Sequence, residues 1–343
     1  MFAHPDFDEH ERVVYVREPA AGLRAIVAIH STALGPAFGG CRMWPYRTDD
    51  DALADVLRLS RGMTYKAAIC ELPYGGGKSV VIGDPRRDKT PDLLRAVGRA
   101  VESLGGRYIV ADDVGTTLDD LAVMRTETRH TAAATAAAKQ PLPVTAWGVF
   151  NALLACAEHR FGQVGFTGLR VAVQGLGHVG YPLCRFLSEK GARLVVSDLD
   201  PARVASAEAE FGAASVPAGA IYDAACEIFS PCALGGVLND TTIPRLKARL
   251  VCGGANNQLA SQRHDLALAE RDILFLPDYL ANAGGVIDFH QESVDDSPAA
   301  VLKSVERIRR ISAQVLDQSR RTDLRPLAVA DAVVRERLDA VHR

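Results

Sequence analysis

Apolar positions recur along this chain with two different periods, and the switches between them predict its elements. Val13 to Val16 and Leu23 to His30 are short apolar, β-branched runs separated by Glu18-Pro19-Ala20-Ala21-Gly22, the pattern of two strands joined by a turn. The period then lengthens. Leu53, Val56, Leu57, Ser60 and Met63 fall on one face of a helix, which Thr48 starts as a capping box with Asp51 three residues on. Thr90-Pro91 starts a second helix with Leu94, Val97, Val101 and Leu104 on one face; Gly105-Gly106 ends it, and Arg107 to Ala111 follows as a strand. Short strands alternating with helices predict an α/β layer structure with a small mixed sheet.

Pro141 and Pro143 mark the passage into a second domain, opened by a helix from Thr145 to Phe161. Arg170 to Gln174 then reads as an apolar strand. Gly175-Leu176-Gly177-His178-Val179-Gly180 follows at once, and a helix from Tyr181 to Lys190 leads into a second strand, Leu194 to Ser197. That βαβ unit fits a dinucleotide. Gly175 permits the tight turn, Gly177 lets a pyrophosphate approach the backbone, Gly180 lets helix and strand pack closely, and the helix N-terminus attracts the phosphates. Asp198 lies 18 residues after Gly180, at the end of the second strand, where a carboxylate accepts hydrogen bonds from the adenosine ribose. An acid there repels a 2′-phosphate, so NAD is expected rather than NADP, with Arg203 as the nearby opposing charge. Glu227 to Ser230, Arg249 to Cys252 and Ile273 to Leu276 complete a parallel sheet, and Ser304 to Ser319 and Leu327 to Val341 are closing helices.

Composition narrows the class without changing it. A length of 343 residues predicts about two domains, and 48% apolar residues fill large cores. The formal net charge of -3 gives no general attraction to nucleic acid or anionic membrane. The basic run from Lys303 to Arg321 is interleaved with Glu306 and Asp317 and reads as a solvated or subunit-contact face. Seven cysteines, odd in number and without a C-x-x-C pair, predict neither a disulfide framework nor a zinc site, and none of the nine histidines has metal spacing. With no apolar N-terminal segment and no membrane-length run, the expected location is the cytoplasm.

The candidate chemistry lies between Arg61 and Pro85, where Lys66 and Lys78 stand twelve residues apart around Gly75-Gly76-Gly77. The glycines predict a tight bend that ends in Lys78, with Ser79-Val80-Val81-Ile82 as the strand after it. A phosphate-binding P-loop is excluded, because Leu72 occupies the place of its first glycine. Asp112-Asp113 stands just past the preceding strand; from local sequence alone, such a pair of acids reads as a helix cap near Thr117.

Eight segments in order, GMTYKAAI, PYGGGKSVVIGDP, ADDVGTT, PVTAWGV, VQGLGHVG, SPCALGG, GANNQL and PDYLANAGGVI, resemble the Leu/Phe/Val branch of the amino acid dehydrogenase family. The resemblance covers roughly residues 12 to 340. It implies an N-terminal α/β substrate domain (1–140, with about 320–343 packing back) and a Rossmann-type NAD-binding domain (141–319), with the cleft between them. The implied reaction is NAD-dependent, reversible oxidative deamination of a hydrophobic L-amino acid to its 2-oxo acid and ammonia. Lys66 would hold the substrate carboxylate, Lys78 would be the general acid/base, and Asp113 would exchange protons with the amino group, leaving Asp112 as a cap or surface group. Phe38, Ala111, Val286 and Phe289 would line the side-chain pocket. Arg42, Thr145, Gly175 to Gly180, Asp198, Cys232, Ala233, Ala255, Asn256, Asn257 and Asn282 would serve the cofactor.

A leucine- or valine-like substrate is expected first, and phenylalanine or tryptophan second, because Phe38 and Phe289 replace the smaller aliphatic residues of branched-chain relatives. The alternative from another class is a non-catalytic NAD-binding sensor. The alanine-rich segment Thr131 to Gln140 departs from the glycine-rich loop of the family. The family also implies a homo-oligomer, a dimer or an octamer.

Overall fold

The computed structural model describes residues 2–132, 142–292 and 297–341, so most of the alanine-rich segment Thr131 to Gln140 lies outside the described residues. The chain divides into two compact units, Met1–Gln140 with Glu336–Arg343, and Pro141–Arg335.

The first unit is built on a five-stranded mixed sheet of β1 (Arg12–Glu18), β2 (Leu23–Ser31), β3 (Ala37–Trp44), β4 (Gly75–Ile82) and β5 (Tyr108–Asp112), in the order β1-β2-β4-β3-β5. β2 runs antiparallel to β1 and β4, while β3 runs parallel to β4 and β5. The expected capping box at Thr48 starts α1 (Asp49–Ile69), whose Leu53, Val56 and Leu57 pack on Ile26, Ala28 and Val80. Each such buried side chain contributes about 1.5–3 kcal/mol, which fixes α1 on this face of the sheet. The opposite face carries α2 (Pro91–Glu102) and α3 (Leu118–Met124), around Val27, Met43, Val81 and the fully buried Tyr108.

The glycine run behaves differently from its sequence expectation. Gly75 to Gly77 forms no bend before the strand: β4 starts at Gly75, and Lys78 sits in its middle. A Cβ built on Gly76 would lie 2.0 Å from the main-chain nitrogen of Thr64, so the missing side chain lets α1 settle directly on the strand.

The second unit holds six parallel strands: β6 (Arg170–Gln174), β7 (Arg193–Ser197), β8 (Ala214–Ser215), β9 (Ile228–Pro231), β10 (Leu250–Val251) and β11 (Leu274–Phe275), in the order β11-β10-β9-β6-β7-β8. Counted from β6, this is the doubly wound order 3-2-1-4-5-6, with the direction of winding reversing between β6 and β9. Helices α4 (Val144–Phe161), α5 (Gly180–Glu189), α6 (Pro201–Phe211), α7 (Arg263–Ala269), α8 (Asp278–Ala281), α9 (Gly284–Glu292), α10 (Pro298–Val305), α11 (Arg307–Thr322) and α12 (Pro326–Ala340) complete the chain. The helix expected over Ser304 to Ser319 is two, α10 and α11, divided at Glu306. No described helix is long and apolar enough to cross a membrane.

Candidate active site

Strand alternation decides which side chains of the first unit meet. Alternate residues of a strand share a face. The register pairs Phe38 with both Gly76 and Ile109, and Gly40 with Ala111, so Phe38, Gly40 and Arg42 of β3 share a face with Lys78 of β4 and with Ala111 and Asp113 at the end of β5. Three separated stretches of sequence therefore converge on the face that α1 covers.

At the centre, Lys78 Nζ lies 2.8 Å from Asp113 Oδ2, with the lysine side chain only 7% exposed. β3 runs between the strands that carry these two groups, so the pair spans a strand. It closes because residue 40 is glycine: a Cβ there would lie 2.7 Å from Asp113 Cβ and 3.1 Å from Lys78 Nζ. Arg42 Nε donates to the same Asp113 Oδ2 at 3.0 Å, and its Nη1 donates to Asp55 Oδ2 on α1 at 2.9 Å. The Tyr46 hydroxyl donates to that Asp55 oxygen at 2.6 Å. The main-chain N–H of Asp113 donates to Thr116 Oγ1 at 3.0 Å, and the Thr116 hydroxyl donates to the Cys41 carbonyl at 2.7 Å, anchoring the acid from behind.

Burial opposes the charge on Asp113, but the Lys78 ammonium and the Arg42 guanidinium outweigh it and hold the carboxyl well below the usual carboxylate range. Asp113 is thus an ionised acceptor at neutral pH. The cap expected of the acidic pair is supplied elsewhere, since Thr117 caps α3 with Asp120 in a capping box of its own.

Lys66 is half-buried on α1, two residues beyond the Thr64 that packs on Gly76. Phe38 is buried, its ring centroid 5.9 Å from that of Tyr74. Phe38 and Ala111 are thus brought onto one sheet face with Lys78 and Asp113, whereas Val286 and Phe289 belong to α9 of the second unit.

In the second unit, Gly175 follows β6 at φ 91° and donates its N–H to the Ser197 carbonyl at 2.7 Å. The switch between β6 and β9 brings Ala233 against it: a Cβ on Gly175 would lie 2.9 Å from Ala233 N. Above Gly177 the space is open, since a Cβ there would meet nothing nearer than an Arg203 nitrogen at 3.9 Å. Asp198 accepts from Leu176 N at 2.6 Å through Oδ2 and from Asp200 N at 2.8 Å through Oδ1, which ties the glycine turn to the end of β7. His178 is exposed in that turn and Val179 half-buried.

Asn282 Nδ2 donates to Asn256 Oδ1 at 2.9 Å and to the Gly254 carbonyl at 3.2 Å, beside the buried Ala255. Its Oδ1 is buried with no hydrogen-bond partner among the described residues. Asn257 N donates to Asp278 Oδ2 at 2.5 Å, and Thr145 Oγ1 stands 3.7 Å from where a Cβ on Gly285 would be. Burial pushes the Cys232 thiol up, so it is a packed thiol rather than a thiolate. An open glycine backbone at a strand-to-helix turn, an acid at the end of the next strand and an orphaned buried amide oxygen fit a dinucleotide carrying a carboxamide.

Sequence reasoning missed four members of the charged site: Gly40, Tyr46, Asp55 and Thr116. Gly40 makes room for groups from other strands, so nothing beside it in the sequence marks it. Asp55 had a faint signal, as an acid on the helix that leads to Lys66.

Two family models match the chain: the Glu/Leu/Phe/Val dehydrogenase dimerisation domain over residues 10–130, and Glutamate/Leucine/Phenylalanine/Valine dehydrogenase over residues 200–325. A leucine dehydrogenase from Thermoactinomyces intermedius is 43% identical over 100% of this chain and 94% of its own length. An L-tryptophan dehydrogenase from Nostoc punctiforme is 46% identical over 87% of this chain and 85% of its own. The crystal structure of L-tryptophan dehydrogenase from that organism superposes with a TM-score of 0.80 at 41% identity, covering 98% of this chain and 97% of the other. A hetero-hexameric glutamate dehydrogenase from Thermus thermophilus gives a TM-score of 0.80 at 25% identity, covering 97% and 89%.

Proposed function

The chain belongs to the Glu/Leu/Phe/Val dehydrogenase family, an NAD(H)-dependent oxidoreductase acting on the CH–NH2 group of a hydrophobic amino acid, and on that premise we propose that it deaminates a branched-chain or small aliphatic L-amino acid at Lys78 and Asp113. The observation that carries this reading is the Lys78–Asp113 pair, 2.8 Å long and nearly out of water, with Arg42 on the same carboxylate oxygen. A solvated lysine would have no reason to be held so, and a non-catalytic sensor would not need it.

In this reading the first unit carries the substrate and the second the cofactor. Gly175 to Gly180, Asp198 and the groups around Asn282 would hold NAD; when bound it supplies the hydride acceptor. Lys66 binds the substrate carboxylate as a counter-ion. Asp113, already ionised, accepts a hydrogen bond from the substrate ammonium and relays the proton it loses to solvent, leaving the amine lone pair to drive hydride from Cα and form the iminium. Lys78, in its neutral amine form, removes a proton from the water that attacks the iminium carbon and passes it along the Lys78–Asp113 hydrogen bond to the nitrogen; as the C–N bond breaks the same amine takes the carbinol hydroxyl proton and hands it to the departing ammonia. The balance is amino acid, NAD⁺ and water to 2-oxo acid, ammonium, NADH and one proton.

The leucine dehydrogenase resemblance over the full chain supports an aliphatic side chain lying against Phe38 and Ala111 of the first unit. The tryptophan dehydrogenase resemblance and the two phenylalanines favour an aromatic substrate as the second reading. A methylene is worth only about 1–3 kcal/mol of discrimination in such a pocket, so several amino acids will be turned over. The match to a dimerisation domain supports a homo-oligomer, and the sequence supports a cytoplasmic enzyme.

The test is a panel of L-amino acids scored for reduction of NAD and NADP. The expected result is the highest kcat/KM for leucine, valine or isoleucine with NAD. Preference for phenylalanine or tryptophan would move the assignment to the second reading. No reduction by any member would leave the sensor.

A further inference from the structure

The proposed reaction uses Lys78 and Asp113 directly, yet the alternating charges continue past them to two residues that touch neither. The order is Lys78, Asp113, Arg42, Asp55, with the Tyr46 hydroxyl closing the far end. Arg42 is the hub. Its side chain is 18% exposed and divides its donors, Nε to Asp113 and Nη1 to Asp55.

A guanidinium prefers to grip one carboxylate with two parallel N–H donors. With Asp55 absent, Asp113 would be the one carboxylate left on Arg42 among the described residues, and both donors would turn onto it, drawing Oδ2 off Lys78. With Asp55 in place, one donor is withheld and Asp113 keeps a single contact to Arg42, leaving Oδ2 shared with Lys78. Tyr46 completes the restraint, because its hydroxyl donates to the very Asp55 oxygen that Arg42 uses. Burial and the Asp55 charge both push ionisation of the Tyr46 phenol far up, so it remains a donor throughout the working range. Asp55 also belongs to α1, eleven residues before Lys66 on the same rigid element.

We infer that Asp55 and Tyr46 are positioning residues for the deamination: acting through Arg42, they fix the place of Asp113 Oδ2 relative to Lys78 Nζ. The inference rests on the function proposed above and assigns the two residues no contact with substrate or cofactor.

The test uses the full chain with D55N, D55E and Y46F, assayed with L-leucine and NAD. A misplacement of about 1 Å in a catalytic group costs about a hundredfold. D55N is accordingly expected to lose about 30- to 100-fold in kcat while the KM for leucine and for NAD stays within about threefold. D55E, which restores the charge at a shifted position, recovers part of the loss. Y46F, which keeps the ring and removes one donor, loses about 3- to 10-fold. The pH profile of kcat in D55N is displaced from that of the wild type, a change that a loosened fold would not produce.

Wild-type kcat in both D55N and Y46F would overturn the inference, and so would a loss confined to KM or one that tracks a falling melting temperature. Should D55N fail to fold, Y46F alone decides. A wild-type protein that reduces no NAD with any amino acid would sink the proposed reaction itself, a result separate from any of these.

Discussion

Gly40 has no side chain and makes no hydrogen bond to the charged pair, yet the pair depends on it. Lys78 and Asp113 approach each other over the strand between them, and a methyl at residue 40 would stand within 3.1 Å of the ammonium and 2.7 Å of the Asp113 Cβ. Neither neighbour can step aside, since Asp113 is tied through Thr116 to the Cys41 carbonyl and Lys78 rises from the middle of β4. Gly40→Ala is therefore expected to lower kcat by about a hundredfold, with overpacking costing about 1–3 kcal/mol of stability. Steady-state kinetics beside thermal unfolding check it, and a variant with near-normal kcat would show that the pair tolerates separation. Asp113 also sets a limit on pH effects. Its folded pKa is depressed, so the stability it contributes is present above the unfolded carboxylate value of about 3.9 and is lost only as pH falls through the lower folded value. Any activity change between pH 5 and 8 must come from other groups.

At the scale of elements, α1 is the part on which most depends, and it is held at several points by histidines as well as by leucines. His10 Nε2 hydrogen-bonds with the Leu57 carbonyl and Ser60 Oγ, both at 3.1 Å, and His30 Nδ1 with Thr64 Oγ1 at 2.8 Å; the two rings meet edge-on with centroids 4.8 Å apart. Asp8 and Arg61 are the charges that face them. Burial pushes His30 down to about 3, helped by His10, and burial lowers His10 as well. Both rings are neutral in the fold, while the unfolded chain takes up protons near pH 6.5, so stability is complete above that value and falls as pH drops towards about 3. Thermal midpoints recorded from pH 8 to 4 are expected to decline in the wild type and to decline less in His30→Asn. Parallel curves would remove His30 from the cause.

What could be read of these elements from sequence divides by range. The cap at Thr48, the Thr90-Pro91 start and the glycine fingerprint after β6 are local devices whose partners lie within a few residues, and they were legible. β3 was not, because Ala37-Phe38-Gly39-Gly40-Cys41 is buried on both faces and shows no alternation. The glycines of β4 resemble a turn until Thr64 of α1 is seen to occupy their missing side-chain space. Lys78, Asp113 and Arg42 were legible as candidates through family resemblance, whereas their meeting at one carboxylate, and the places of Gly40, Asp55 and Tyr46 beside them, needed the strand register.

For the molecule as a whole, the proposed reaction divides its chemistry between the two sheets, and that division can be tested on each unit by itself. Each unit closes its own core, the first around Met43, Val81 and Tyr108, the second around Phe229, Val251 and Phe275. The charged groups proposed to act on substrate come from the first, and the open glycine turn with Asp198 comes from the second. Damage to one should therefore leave the other's task intact. Lys78→Ala is expected to lower kcat by about a thousandfold or more, the range for loss of a positioned acid/base, while the Kd for NAD changes by less than about threefold. Asp198→Ala should behave in the opposite sense. It removes a charged acceptor worth about 1.5–3 kcal/mol and frees Leu176 N, so the Kd for NAD should rise about tenfold or more, with kcat at saturating NAD within a few-fold of wild type. Titration calorimetry with NAD beside saturation kinetics separates the two. If Lys78→Ala lost NAD binding as well as turnover, residue 78 would be holding the cofactor site together, and the acid/base role assigned to it would have to be withdrawn.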